Sequence, residues 1–148
     1  MKSLEEVLEN WKIDCEIPRI DLAETSRQTP MLHQKYLSIL SMTKLRLKDA
    51  EMQQKILLKN KWLWYNGKMT QEQIERLGWN YDPLEGLKIM KGDMDHYYDS
   101  DKEIQESELK IQYLKTMIDT LTEIVDSLKW RHQTIGNIIR WKQFEAGS

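Results

Sequence analysis

Apolar residues recur by threes and fours along the last third of the chain. Ile104, Ser107, Ile111, Leu114, Ile118, Leu121, Val125, Leu128, His132, Ile135, Ile139 and Lys142 share one stripe of a helix predicted from Asp101 to about Gln143. The alternation lasts for more than five heptads, with β-branched residues and leucine in turn at its centre. That order marks a coiled-coil seam. Such a helix has to pack on another long helix of the chain, on further copies of itself, or on both; a purely intramolecular hairpin is the competing reading. His132 on this seam reads as a polar contact that sets register rather than as a ligand.

A second long helix is predicted upstream. Thr29 and Pro30 supply a capping hydroxyl and a first-position proline, and no proline or glycine follows until Gly67. The run would extend about 54 Å at 1.5 Å per residue. Leu32, Tyr36, Ile39, Leu40, Leu47, Ala50, Leu57 and Leu58 lie on one side, and Met42, Leu45, Met52, Ile56 and Leu63 on another. Between these faces, Lys44, Lys48, Lys55 and Lys59 fall within roughly 60° of each other, with Trp62 on the same stripe. Two apolar faces suit a helix held between an internal partner and a neighbouring subunit.

Short elements complete an all-α reading. Ser3 caps a helix from about Glu5 to Lys12, with Leu4, Val7, Leu8 and Trp11 on one face. Thr70 and Gln73 form a capping box for a helix ending near Gly78, and Ser100 and Glu103 form another at the start of the last helix. Pro18 and Pro30 bracket a polar connector, and the segment from Gly78 to Gly92 is the least regular. Two long helices in an elongated, hairpin-like arrangement with short helices around them are the expected fold, one helical domain over residues 1–148.

Composition agrees. Of 148 residues, 40% are hydrophobic and 31% charged, a mix that favours solvated helices over a thick core. Val7 and Val125 are the only valines, so strand signals are weak. Cys15 is the single cysteine, which excludes an internal disulfide or a cysteine metal cluster. Glu5, Glu6 and Glu9 stand where a signal peptide needs an apolar run, and no run approaches the ~18 residues of a membrane helix. A soluble, intracellular chain without membrane contact is expected.

The net charge of -2 is unevenly spread. Residues 31–68 carry Lys35, Lys44, Arg46, Lys48, Lys55, Lys59, Lys61 and Lys68 against Asp49 and Glu51, while residues 70–108 are strongly acidic. The basic block includes Trp62, Trp64 and Tyr65. Lysine neutralises phosphate and an aromatic ring stacks on an unpaired base, the combination that holds single strands without reading sequence. The alternative is an amphipathic helix end with its rings packed inward. Lys129, Arg131, Arg140 and Lys142 are either an added polyanion surface or a complement to the helix dipole.

Catalytic patterns are absent: no glycine-rich phosphate loop, nucleophile elbow or His-Glu-x-x-His occurs. The run Asp93, Asp95, Asp99, Asp101 fails as a calcium loop, because Tyr97 and Tyr98 replace a ligand and a glycine and Ile104 stands where glutamate is needed. It reads as a solvated acidic lead-in to the last helix. A binding protein with no enzyme activity, metal or cofactor is expected. A helical scaffold that holds only protein partners through its coiled coil is the reading from a different class.

Several separated segments resemble the UvsY family, the recombination mediators of T-even-type bacteriophages. They are Leu4-Glu5-Glu6, Met31-Leu32 with Lys35-Tyr36-Leu37, Leu58-Lys59-Asn60-Lys61, Lys129 with Arg131, Ile135, Ile138, and the terminal Phe144-Glu145-Ala146-Gly147. The resemblance spans both ends and the first long helix; residues 68–98 do not carry it. It implies a non-enzymatic accessory protein acting in the cytoplasm of an infected bacterial host. Such a protein binds single-stranded DNA and helps a UvsX-like phage recombinase load onto strand covered by the phage single-strand-binding protein. It implies a coiled-coil-mediated, ring-like homo-oligomer of roughly six or seven subunits. On this reading residues 1–99, with the basic helix 30–65, bind DNA, and residues 100–144 oligomerise. The DNA contacts are Lys59 and Lys61, joined by Lys55, Lys48, Lys44 and Trp62. The assembly residues are Ile111, Leu114, Ile118, Leu121, Val125, Leu128, Ile135 and Ile139. Lys61 stands where the family pattern has arginine, so a forked phosphate grip becomes a point charge.

Overall fold

A computed structural model describes residues 3–147. Among them are five helices and no strand: α1 (Leu4–Asp14), α2 (Leu22–Tyr65), α3 (Gln71–Leu77), α4 (Met94–Ser100) and α5 (Lys102–Glu145). Two of the five are long, as the periodicity predicts. Backbone contacts divide the chain into two compact units, 1–45 with 114–148, and 46–113.

Local chemistry places most helix ends. The Ser3 hydroxyl accepts from the Glu6 amide and opens α1. Gly67 (φ 69°) closes α2, with the Gly67 and Lys68 amides donating to the carbonyls of Trp64 and Leu63. These paired bonds satisfy carbonyls that a helix end leaves free. Thr70 caps α3 through the Gln73 amide.

Two expected starts are corrected. α2 begins at Leu22, and Pro30 sits inside it rather than at its first position. A proline there removes one helix bond and is ordinarily a breaker. Here Leu22 and Thr25 are buried and hold the earlier turns, while Ser26, whose carbonyl loses its donor, is exposed and open to water. At α5 the cap is Asp101, not Ser100. The Asp101 carboxylate accepts from the Ile104 amide at 3.1 Å, whereas the Ser100 hydroxyl donates back to His96 within α4. Helix α4 falls in the stretch expected to be a solvated lead-in, and Asp101 is buried rather than solvated.

In the unit made by the two ends of the chain, α1, α2 and α5 share a core of Val7, Tyr36, Leu40, Met117, Leu121, Ile124, Val125 and Leu128. Trp11 meets Tyr36 edge to face at 5.5 Å. Met117, Ile124 and Arg131 are buried in addition to seam positions, while His132 and Lys142 are exposed. The buried stripe is therefore wider than a two-position seam, as a helix packed against two neighbours requires. Arg131 donates to the Asp14 and Glu16 carbonyls at the end of α1. It complements the dipole of α1 rather than that of its own helix. Lys35 and the Tyr36 hydroxyl both bond the Asp14 carboxylate at 2.7 Å.

In the unit spanning 46–113, Ala50, Lys61, Met69, Ile74, Asp101, Ile104 and Ile111 are buried. Two of these seven carry charge, and they face each other.

Candidate nucleic-acid interface

Helical geometry separates the lysines of α2 in the second unit into two groups. Lys48, Lys55 and Lys59 recur at intervals of seven and four, so they share one face, and all three are exposed. Trp62 continues that face with 41% of its surface accessible, and the Lys68 ammonium lies 4.7 Å from its ring centre. Lys44, also exposed, belongs to the other unit.

Lys61 lies 200° around the helix from Lys59 and has the opposite environment. Only 3% of it is accessible. Its ammonium sits 3.1 Å from Asp101 and 3.3 Å from Glu103, at the start of α5. It also lies over the rings of Trp79, at 4.0 Å, and Trp64, at 4.5 Å. The Tyr65 hydroxyl donates to Asp101 at 2.6 Å. Two carboxylates therefore already compensate the charge of Lys61, and its ammonium is not on the lysine face.

These contacts fix protonation states. Burial by itself would raise the Asp101 pKa. Hydrogen bonds from Tyr65, the Ile104 amide and Lys61 outweigh it and hold the carboxyl below the usual aspartate value. Burial, then the bond to Asp101, pushes the Tyr65 phenol well above its ordinary range. Asp101 thus does three things: it caps α5, neutralises Lys61 and anchors Tyr65.

Sequence reading finds the lysine face and Trp62 but misses Trp79, Tyr97 and Asp101. Trp79 packs 5.0 Å from Trp64, and Tyr97 5.7 Å from Tyr65. The Trp64 indole N–H donates to the Asn80 carbonyl at 2.7 Å. Trp64 and Tyr65 are thus the inward-packed rings and Trp62 the outward one, so each of the two sequence readings describes part of the segment. The clues were a tryptophan directly after the helix-ending Gly78 and paired tyrosines inside an acidic run.

The residues expected to mediate assembly are placed differently from one another. Ile111, Leu114, Leu121, Val125, Leu128 and Ile135 are buried within the chain, Ile118 is half-buried, and Ile139 is accessible. The accessible apolar surface lies elsewhere. Met52 and Ile56 on α2 are 52% and 55% exposed, and Trp130, Trp141 and Phe144 on α5 are also open. Among the described residues, no group of His, Cys, Asp and Glu could hold a metal ion, and no helix is long and apolar enough to cross a membrane.

Comparison with known proteins gives one consistent result. The model of the family described as recombination, repair and single-stranded-DNA-binding protein UvsY matches residues 10–148. The recombination protein uvsY of Enterobacteria phage T4 is 26% identical over 144 residues, 97% of this chain and 98% of that protein. One crystal structure of the bacteriophage T4 recombination mediator protein UvsY, lattice type II, superposes with a TM-score of 0.82 at 24% identity, covering 99% of both chains. A second, lattice type I, gives 0.79 at 23% identity over 93% of this chain and 97% of that one. Likeness at those identities speaks to the fold.

Proposed function

The chain belongs to the UvsY family of recombination, repair and single-stranded-DNA-binding proteins, and from that premise we propose that it is a recombination mediator. It binds single-stranded DNA and assists loading of a UvsX-like phage recombinase onto strand covered by the phage single-strand-binding protein. It acts by binding, without catalysis, in the cytoplasm of an infected bacterium. The observation that carries the site is the exposed row of Lys48, Lys55 and Lys59 leading to exposed Trp62. The lysines meet successive phosphates and the indole stacks on a base, and neither reads sequence. Lys44 supplies a further phosphate contact. Lys61 is a positioning residue: it holds Trp64 and Trp79 in place and does not itself grip phosphate.

The chain self-associates into a ring-like homo-oligomer. What supports this reading is the accessible apolar surface of Met52 and Ile56 on α2, beside the lysine row, and of Trp130, Trp141 and Phe144 on α5. The buried seam residues act indirectly, by forming the core that presents those surfaces. A strand wrapped over several lysine rows is deformed, and that loosens a competing single-strand-binding protein.

Fluorescence anisotropy of labelled oligo-dT across a salt series tests the site. Each phosphate-contacting lysine contributes about 0.7 to the log–log salt slope. Replacing Lys48, Lys55 and Lys59 together by alanine is expected to flatten the slope by about 2 per protomer. Unchanged slope and affinity in that variant would reject the assignment.

A further inference from the structure

The end of α2 opens onto a cavity of about 430 Å³ that the lysine row does not use. Trp64 and Tyr65 line it from the last turn of the helix, and Tyr81, Asp82, Leu87 and Lys88 line it from the loop after α3. Each of the three rings is tethered through its one polar atom. The Trp64 N–H donates to the Asn80 carbonyl, the Tyr65 hydroxyl to Asp101, and the Tyr81 hydroxyl to Glu75 at 2.6 Å. Trp64 and Tyr65 are half-buried among other rings, whereas Tyr81 is 58% exposed, so its tethered ring is the one on which a flat group can stack.

Charge decides which part of a nucleotide enters. The Asp82 carboxylate is among the lining groups and accepts from the Gly86 amide at 3.0 Å. Lys88 lines the cavity too and balances that carboxylate, so the walls offer no net charge to hold a phosphate, and a neutral base is the part that fits. Lys68 is exposed beside Trp62, and Gly67, the residue before it, lines the cavity. We infer that this cavity receives one unpaired nucleobase of the bound strand while the phosphates stay outside near Lys68. The inference rests on the single-stranded-DNA reading above and adds to it a base subsite distinct from Trp62.

The test compares two labelled strands of equal length, oligo-dT and a strand of abasic residues, by anisotropy at fixed salt. The chains used are the unsubstituted protein, Tyr81→Ala, and Leu87→Trp, which adds bulk at an exposed lining residue. The unsubstituted protein is expected to prefer oligo-dT. Both variants lose about tenfold in affinity for oligo-dT, the scale of one lost base stack, and nothing for the abasic strand. An undiminished preference in both variants overturns the base subsite and leaves the lysine row standing. If the unsubstituted protein binds neither strand at low salt, the proposed function falls, and the subsite with it.

Discussion

Lys59 and Lys61 are chemically identical and two positions apart, yet the helix turns one into water and the other into an aromatic box closed by Asp101 and Glu103. Their alanine variants should separate accordingly. Lys61→Ala strands a buried carboxylate and is expected to cost about 3 kcal/mol in urea unfolding. Lys59→Ala should change stability by less than about 0.5 kcal/mol while weakening oligo-dT binding. Equal stability losses in the two would contradict the assigned roles. Asp101 adds a pH dependence with a definite sign. Its folded pKa is depressed, so the unfolded chain takes up the proton first as pH falls. The contribution is complete above the ordinary aspartate value of about 4 and drains away below it. Asp101→Asn should be less stable near neutrality and show a shallower acid limb in chemical denaturation between about pH 4 and pH 2. An acid limb as steep as that of the unsubstituted protein would count against the depressed carboxyl.

Helices were legible where one residue decides the outcome. Ser3, Thr70, Gly67 and Gly78 each satisfy or terminate a backbone end through local bonds, and each marks a real boundary. The spacing of three and four on α5 was equally plain, because burial repeats with the helical period. Where a distant contact decides, the sequence was silent. Pro30 reads as a helix start, yet α2 begins at Leu22, whose burial and that of Thr25 stabilise the turns before it. Asp101 displaces Ser100 as the cap of α5 because it also meets Lys61 and Tyr65, residues far back along the chain. The candidate site divides along the same line. The exposed lysine row follows from angles alone, whereas the withdrawal of Lys61 needs a partner that no local pattern announces. The seam shows a related limit: periodicity reveals that a stripe is buried, not what covers it. Leu121 and Leu128 are already enclosed by α1 and α2, so a charge placed at either position reports on folding before it reports on assembly.

Assembly must therefore be probed from surfaces that are accessible in the single chain. Under the proposed function a lone lysine row would make few phosphate contacts, each weakened by salt. Copies joined in a ring convert later contacts into intramolecular ones, and affinity rises without any new chemistry. The double variant Met52→Glu, Ile56→Glu is suited to this question. Both side chains are about half exposed, so the helices should form normally, as far-ultraviolet circular dichroism would record. Size-exclusion chromatography with light scattering is expected to show a smaller species than the unsubstituted protein. Its affinity for a long oligo-dT should fall by about 100-fold, with the salt slope reduced toward that of one protomer, although every lysine remains. A variant that is smaller but binds the long strand undiminished would show that one row suffices, and would separate DNA binding from self-association.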